Sequence, residues 1–168
     1  TSTKDAVAAV LSEHFPVLKS KKSFNSEFGF PLTIIGIDTG WNNPFIWISN
    51  VLHGLFLLLM KHEYPEWLVL EVGADHPGDI ETLTKWLKPD IAILTRLPRV
   101  PVHIAVFGSR EDIIREKSYL IHALKKKGTY IANADDEDVK AVREPDTARR
   151  ITYGFSHEAV VALDSYAT

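Results

Sequence analysis

Residues 67–80, WLVLEVGADHPGDI, decide how this chain folds. The stretch opens with an apolar run, residues 67–70, that predicts a buried strand. An acid, a glycine, an Asp-His pair and a second glycine follow. The end of a buried strand rarely carries so many charged and conformationally flexible residues. In open α/β sheets, ligands bind just outside the carboxyl ends of the strands. The stretch therefore predicts a strand that leads into a binding site.

Strand and helix patterns alternate on both sides of this stretch. Hydrophobic spacing and its start and stop signals predict helices over residues 3–15, 44–62, 79–87, 109–127 and 136–142, and a helix beginning at 31–35. Short apolar runs predict strands over 17–18, 67–72, 91–95 and 129–132, with a closing pair at 151–155 and 159–163. The proline-rich residues 96–108 are predicted to be irregular. This alternation is typical of an α/β fold, a mostly parallel sheet with helices on both faces.

Composition excludes several classes of protein. The chain has 168 residues, a formal net charge of −3 and no cysteine, which suits one globular domain without disulfides or thiolate metal sites. The one dense basic run, residues 125–127, is predicted to close a helix, where cations suit the helix dipole, so no nucleic-acid partner is expected. No signal peptide is recognised at the start, and a cytoplasmic location is expected.

An apolar stretch over residues 45–60 is the nearest approach to a membrane segment. It is shorter than the roughly 20 residues that a transmembrane helix needs, and Ser49, Asn50, His53 and Gly54 interrupt it. We expect a buried helix here. A helix that docks a partner or lies on a membrane surface is the alternative.

Glu71 and His103 are the first candidates for chemistry. A strand-end acid, a loop histidine and nearby aspartates make a plausible site for a hard cation such as Mg²⁺. Taken singly, Glu71 also suits an ion pair and His103 a hydrogen-bonded loop histidine. Gly73 and Gly78 suit turns, and no Lys-Ser/Thr follows them as in a phosphate loop. Lys117 falls beside the apolar face of a helix, where a lysine ordinarily extends its amine to solvent.

Four segments together resemble the ATP-binding central domain of the Mur ligases, a P-loop-NTPase-like α/β domain. They are TSTKDAVAAVL from residue 1, SFNSEFGFPLTII from residue 23, LEVGADHPGDI from residue 70, and HIAVFGSREDIIREKSYLI from residue 103 with NADDED from residue 133. Their order is that of the family, and they cover nearly the whole chain. The third and fourth are the most specific, and they favour the branch that adds D-alanyl-D-alanine to UDP-N-acetylmuramoyl-tripeptide.

The resemblance implies a set of metal-binding residues. Glu71 would hold Mg²⁺ between the ATP phosphates, and His103 would hold a second Mg²⁺. Lys117 stands where the family has a lysine carbamylated by CO₂, and the carbamate would help to bind that second metal. Thr1 would supply the hydroxyl that follows the phosphate-loop lysine, a further Mg²⁺ ligand.

The resemblance also implies contacts to ATP and to the peptide substrate. Asn133 would lie against the adenine, and Asn25 near the phosphates or the substrate. Asp75 and His76 would line the substrate side. The implied reaction is phosphorylation of a substrate carboxylate by ATP, followed by attack of an amine on the acyl phosphate to form an amide.

The segments also set the expected extent of the domain. Residues 1–168 would be part of a central domain truncated at both ends, with the UDP-binding and C-terminal domains outside it. The chain begins one residue after the position of the phosphate-loop lysine, so we expect this chain alone to be inactive. Arg96 and Ala105 stand where the family is expected to have an asparagine and an acid, and the apolar segment is longer than expected.

Three classes of function are therefore compared. The first is a ligase, acting in peptidoglycan precursor synthesis or, as its alternative, resembling folylpolyglutamate synthase. The second is a non-catalytic α/β module that docks a partner through residues 44–60. The third is a metal-dependent hydrolase that uses Glu71, His76 and His103. For the ligase we expect small-molecule partners, a monomer without stable membrane insertion, and the bacterial cytoplasm.

Overall fold

The computed structural model describes residues 2–21, 29–60, 63–97 and 104–162. The chain divides into two compact units, Thr1–Gly73 and Ala74–Thr168. Each unit has a parallel sheet connected through helices. The predicted α/β class with parallel strands is confirmed.

The first unit contains a two-stranded parallel sheet. Val17 lies opposite Trp67, and Lys19 lies opposite Val69. Parallel neighbours need a long crossover connection, and two helices lie within it. The elements are α1 (Ser2–Ser12), β1 (Val17–Lys19), α2 (Gly29–Ile35), α3 (Pro44–Leu59) and β2 (Trp67–Val69).

The second unit contains a four-stranded sheet in the order β3-β4-β5-β6, and all its strands are parallel. The closing pair β5 and β6 is joined over two residue pairs. The elements are α4 (Asp79–Thr84), β3 (Ile91–Leu94), α5 (Ile104–Phe107), α6 (Arg110–His122), β4 (Thr129–Asn133), α7 (Glu137–Ala141), β5 (Arg149–Gly154) and β6 (Val161–Ala162). Helix α5 was not predicted, because it lies in the stretch that was expected to be irregular.

The core of the second unit is built around β4, which has a strand on either side. Tyr130 and Ala132 of this strand are fully buried, and they cluster with Ile121 of α6 and Val139 of α7. The Tyr130 hydroxyl donates a hydrogen bond to the Val139 carbonyl oxygen at 2.9 Å, so its burial leaves no unpaired polar group. Burial raises the pKa of Tyr130 to about 12.

Two predicted helix starts are confirmed. Asn43 precedes Pro44, and its side-chain oxygen accepts a hydrogen bond from the Phe45 N–H at 3.0 Å. Ser109 Oγ accepts a hydrogen bond from the Asp112 N–H at 3.1 Å. In both caps the side chain satisfies a backbone donor that the helix itself cannot satisfy.

One predicted helix end is wrong. The helix predicted over 109–127 ends at His122, so residues 125–127 follow it instead of closing it. The Lys125 N–H donates to the Pro89 carbonyl oxygen at 3.0 Å, and the Lys125 amine pairs with Asp90 at 2.9 Å. These bonds to the segment before β3 draw the chain out of the helix, and sequence periodicity does not contain them.

The predicted burial of the apolar helix is also wrong. Helix α3 has no buried residue over Pro44–Leu59. Its partly buried positions are Asn50, Gly54 and Leu57, so one polar, one small and one apolar residue face the rest of the unit. Among the residues that the structure describes, no helix is long and apolar enough to cross a membrane.

Candidate functional site

A network of three residues joins the ends of β1 and β2 in the first unit. Ser20 follows β1 directly, and its N–H donates to the Val69 carbonyl oxygen at 3.0 Å. The Glu71 N–H donates to Ser20 Oγ at 3.3 Å. The Lys4 amine donates to the Ser20 carbonyl oxygen at 2.9 Å and lies 3.7 Å from Glu71 Oε2. Glu71 is therefore positioned at the carboxyl ends of both strands.

The network also explains why β2 is shorter than predicted. The strand was expected over 67–72, but its ladder stops at Val69. The Glu71 N–H pairs with a side-chain hydroxyl instead of a backbone carbonyl of β1. The chain thereby leaves the sheet at the acid that the sequence singled out.

Lys4 was not predicted to take part in a site. Its side chain is 4% exposed, whereas that of Glu71 is 24% exposed. Burying an ammonium group costs free energy unless the group is paired. The contacts of the Lys4 amine with Ser20 and Glu71 offset that cost. The sequence carries a weak signal for it, because Lys4 and the buried Ala8 are four residues apart on one face of α1.

The turn that contains Asp75 and His76 is closed by the carboxylate of Asp79. Asp79 Oδ2 accepts hydrogen bonds from the Asp75 N–H at 2.9 Å and the His76 N–H at 2.8 Å. Gly78 has φ +93°, a backbone conformation that favours glycine, so its predicted role in a turn is confirmed. The helix predicted over 79–87 begins at Asp79, whose side chain holds the preceding turn, and it ends at Thr84.

Glu116 on α6 holds the end of this turn and the start of α4 within the second unit, and the sequence interpretation missed it. The residue is 4% exposed. Its carboxylate accepts hydrogen bonds from the N–H groups of Gly78 at 2.9 Å, Ile80 at 2.6 Å and Glu81 at 3.3 Å. The sequence does contain a sign that Glu116 is buried: it lies three residues after Ile113, on the apolar side of an amphipathic helix.

Lys117 lies beside Glu116 on α6 and is partly buried. Burial lowers the pKa of its ammonium below the ordinary lysine value. In the described part of the chain, the Lys117 amine has no hydrogen bond and no ion pair. An amine with these properties is neutral more often than an exposed one, and the neutral amine is the nucleophilic form.

Asn133 ends β4 and uses both ends of its amide within the fold. Its Nδ2 donates to the Thr95 carbonyl oxygen at 2.7 Å, and its Oδ1 accepts from the Asp135 N–H at 2.8 Å. The side chain thereby fixes the carboxyl ends of β3 and β4 to each other. The predicted contact with adenine stays a prediction.

Three of the predicted site residues, Thr1, Asn25 and His103, lie outside the described residues. Within the described ranges, no group of three or more histidine, aspartate or glutamate side chains is arranged to hold a metal ion. Among the described residues, Glu71 is the candidate ligand of the first predicted Mg²⁺, and Lys117, if carbamylated, is a candidate ligand of the second. Both would offer oxygen atoms, the donors that Mg²⁺ prefers.

Comparison with known proteins identifies the family. The model of the Mur ligase middle domain matches residues 48–168, which is more than half of the chain. This chain belongs to the Mur ligase family. The Mur ligase resemblance of the four sequence segments is confirmed.

Two Mur ligases that are similar to this chain carry the same enzyme name. The UDP-N-acetylmuramoyl-tripeptide–D-alanyl-D-alanine ligase of Mycobacterium leprae is 32% identical over 94% of this chain, and the match covers 26% of that protein. The enzyme of the same name from Bacillus subtilis is 30% identical over 81% of this chain and 24% of its own length. The chain thus spans about a quarter of the length of these relatives.

A solved structure of a Mur ligase shows the same fold. The MurF ligase of Thermotoga maritima, solved in complex with ADP, superposes with a TM-score of 0.66. It is 28% identical, and the match covers 92% of this chain and 30% of that one. The predicted domain extent, a partial central domain over 1–168, stays a prediction.

Proposed function

We propose that the protein containing this chain is an ATP-dependent ligase that adds D-alanyl-D-alanine to UDP-N-acetylmuramoyl-tripeptide. The names of its relatives in the family support the substrates, and the ADP complex of the Thermotoga maritima enzyme supports ATP as the cofactor. Within this chain, the observation that carries the proposal is the positioning of Glu71 by Ser20 and the buried Lys4.

The proposed reaction has two steps. In the first, a carboxylate oxygen of the tripeptide attacks the γ-phosphorus of ATP, the bond to the β-phosphate oxygen breaks, and ADP leaves. In the second, the amine of D-alanyl-D-alanine attacks the carbonyl carbon of the acyl phosphate. Inorganic phosphate leaves, the nitrogen loses a proton, and an amide bond remains.

Most of the protein's work in such a reaction is positioning and charge neutralisation. Glu71 would hold Mg²⁺, which neutralises charge on the phosphate oxygens when it is bound. The Lys4 amine would orient the Glu71 carboxylate, since it lies 3.7 Å from Oε2 of that carboxylate. Thr1 would add a hydroxyl ligand, and His103 would serve a second Mg²⁺.

Lys117 would be carbamylated in this proposal. The ammonium first loses a proton, and the neutral amine then attacks the carbon of CO₂. A nitrogen–carbon bond forms and a second proton is released, so over the two steps the side chain changes from a cation to an anion. The lowered pKa of Lys117 favours that reaction at neutral pH. The carbamate oxygens would then be available to the second Mg²⁺.

The remaining roles concern the substrates. Asn133 would lie against the adenine and Asn25 near the phosphates or the peptide. Asp75 and His76 are exposed on a turn whose backbone is fixed by Asp79, which suits residues that meet a substrate. A monomer acting in the bacterial cytoplasm completes the proposal.

The test is a coupled assay of ADP release by the full-length protein. ADP release is expected to require both the UDP-linked tripeptide and D-alanyl-D-alanine, together with Mg²⁺. E71Q is expected to lower kcat by at least about a hundredfold, because one removed charge-stabilising group typically costs that much. Glu66 is exposed, and E66Q is the matched control. ADP release without the acceptor dipeptide, or equal activity of E71Q and E66Q, would contradict the proposal.

A further inference from the structure

Helix α3 presents a large apolar surface to solvent. Its exposed side chains include Phe45 at 79% and Leu58 at 84% exposure, and Val51 and Leu59 are nearly as open. Contiguous exposed apolar patches on soluble proteins mark interaction sites. We call the exposed side chains of Phe45, Ile48, Val51, Leu52, Leu58 and Leu59 the apolar helix surface.

The packing of α3 differs from that of an ordinary surface helix. Helices on the surface of a soluble protein bury their apolar stripe and expose their polar one. Here Asn50 faces inward and donates from Nδ2 to the Asp38 carbonyl oxygen at 2.9 Å. Gly54, four residues later, also faces inward, with Ile35 of α2 3.8 Å from where its Cβ would lie. The unit therefore holds α3 through Asn50, Gly54 and Leu57, and leaves the other large apolar side chains of the helix exposed.

The absence of charged residues favours a lipid bilayer over another protein as the partner of this surface. The sequence has no Asp, Glu, Lys or Arg from Thr39 to Met60. A protein interface ordinarily has a polar rim and is only about 56–58% apolar over its whole area. A surface without any ionised group instead matches the acyl-chain region of a bilayer, where a charge is expensive.

Aromatic residues lie at the amino end of α3. Trp41 is 82% exposed, and its carbonyl oxygen accepts a hydrogen bond from the Trp47 indole N–H at 3.0 Å. Tryptophan is enriched where a membrane meets water, because its ring is apolar and its N–H is polar. These two tryptophans therefore lie where an inserted α3 would meet the membrane–water interface.

The length of α3 fits insertion along the surface rather than across the membrane. Its 16 residues measure about 24 Å, less than the roughly 30 Å of the hydrocarbon core. An interfacial helix normally carries its own polar face. In this protein the first unit, bonded to Asn50, takes the place of that face.

We propose that α3 is a membrane-docking helix, which inserts the apolar helix surface into the headgroup and acyl-chain boundary of a phospholipid bilayer. The protein would bind peripherally, without a membrane-spanning segment. This inference does not depend on the ligase reaction. It predicts where the protein acts, whichever carboxylate and amine it joins.

The test is flotation of the full-length protein with vesicles of phosphatidylcholine, and with vesicles of phosphatidylcholine and phosphatidylglycerol. The wild type is expected to float with both, because apolar insertion does not require an anionic lipid. The double variant V51E/L58E places two charges on the apolar helix surface and is expected to lower the bound fraction at least about tenfold. V10E/V160E adds the same charges at exposed valines elsewhere and is the matched control.

The possible results separate the occupants of the surface. Thermal unfolding monitored by circular dichroism must show that both double variants fold. Failure of the wild type to float with either vesicle would overturn the proposal. So would flotation restricted to the anionic vesicles, or an equal loss in both double variants. A dimer in light scattering that V51E/L58E dissociates, without flotation of the wild type, would assign the surface to a second copy and likewise overturn it.

Discussion

Glu116 shows how one buried charge fixes the conformation of a distant loop. Its carboxylate, on α6, accepts hydrogen bonds from three N–H groups of the 78–81 backbone. Hydrogen bonds to an ionised acceptor are stronger than neutral ones. The turn that carries Asp75 and His76 is therefore held at one end by Asp79 and at the other by Glu116.

Removing that charge is expected to loosen the turn. E116Q keeps one acceptor oxygen and loses the charge, so we expect a loss of about 1–3 kcal/mol in the free energy of unfolding. The local measurement is hydrogen exchange at the amides of Gly78, Ile80 and Glu81, which should become faster. E158Q changes an exposed acid in the same unit and should leave these amides unchanged. Unchanged exchange in E116Q would show that the three bonds contribute little.

Lys117 is expected to show a pH dependence set by its burial. Because its pKa is lowered in the folded state, the unfolded chain binds more protons between the folded and the ordinary lysine pKa. Stability therefore rises with pH across that interval, and below it the ammonium carries its full desolvation cost. K117M is expected to be more stable than the wild type at neutral pH, and the difference should shrink as the pH rises.

The same residue gives a direct test of carbamylation. With ¹³CO₂, the wild type is expected to show a carbamate carbon signal by NMR at a lower pH than an exposed lysine would need. K117M should lack this signal, while K126M should retain it, because Lys126 is exposed. A signal of equal intensity in K117M would assign the carbamate to another lysine.

At the scale of elements, the stability of α6 depends on the N-terminal cap formed by Ser109. Ser109 Oγ accepts the Asp112 N–H and also donates to the Asp112 carboxylate. S109A is expected to lower the free energy of unfolding by about 1 kcal/mol, a typical cost for a lost cap. Urea unfolding measures it. S109N keeps an acceptor and should restore most of the loss, and an equal loss in S109N would indicate that the Oγ–carboxylate bond matters instead.

Helix α3 shows where element-scale reasoning failed. Its start at Asn43-Pro44 follows from residue types and is confirmed. Its burial was predicted from apolar content alone, and that inference needs a core for the helix to enter. Asn50 meets the Asp38 carbonyl oxygen and Gly54 meets Ile35 of α2, so the side of the helix that these two residues occupy faces the unit and most of the larger side chains lie outside.

At the scale of the molecule, the parallel pairing carries most of the functional argument. Parallel strands place their carboxyl ends together, so residues that follow different strands meet although they are far apart in sequence. Ser20 and Glu71 meet in this way in the first unit, and Thr95 and Asn133 in the second. The polar clusters recognised in the sequence therefore fall at the strand ends where open α/β sheets bind their ligands.

The sequence by itself determined the α/β class, the order of the elements other than α5, the starts of α3 and α6, and the family. These features are encoded locally, in periodicity, turn residues and contiguous motifs. Tertiary structure alone decided the early end of β2, the exit of the chain from α6, the outward face of α3, and the roles of Lys4 and Glu116. Each of these depends on a bond between residues distant in the chain, such as the bond from Lys4 to Ser20 or the bond from Ile80 to Glu116. The free energy of burying a charged side chain depends on its hydrogen-bond and ion-pair partners, and only folding brings those partners near.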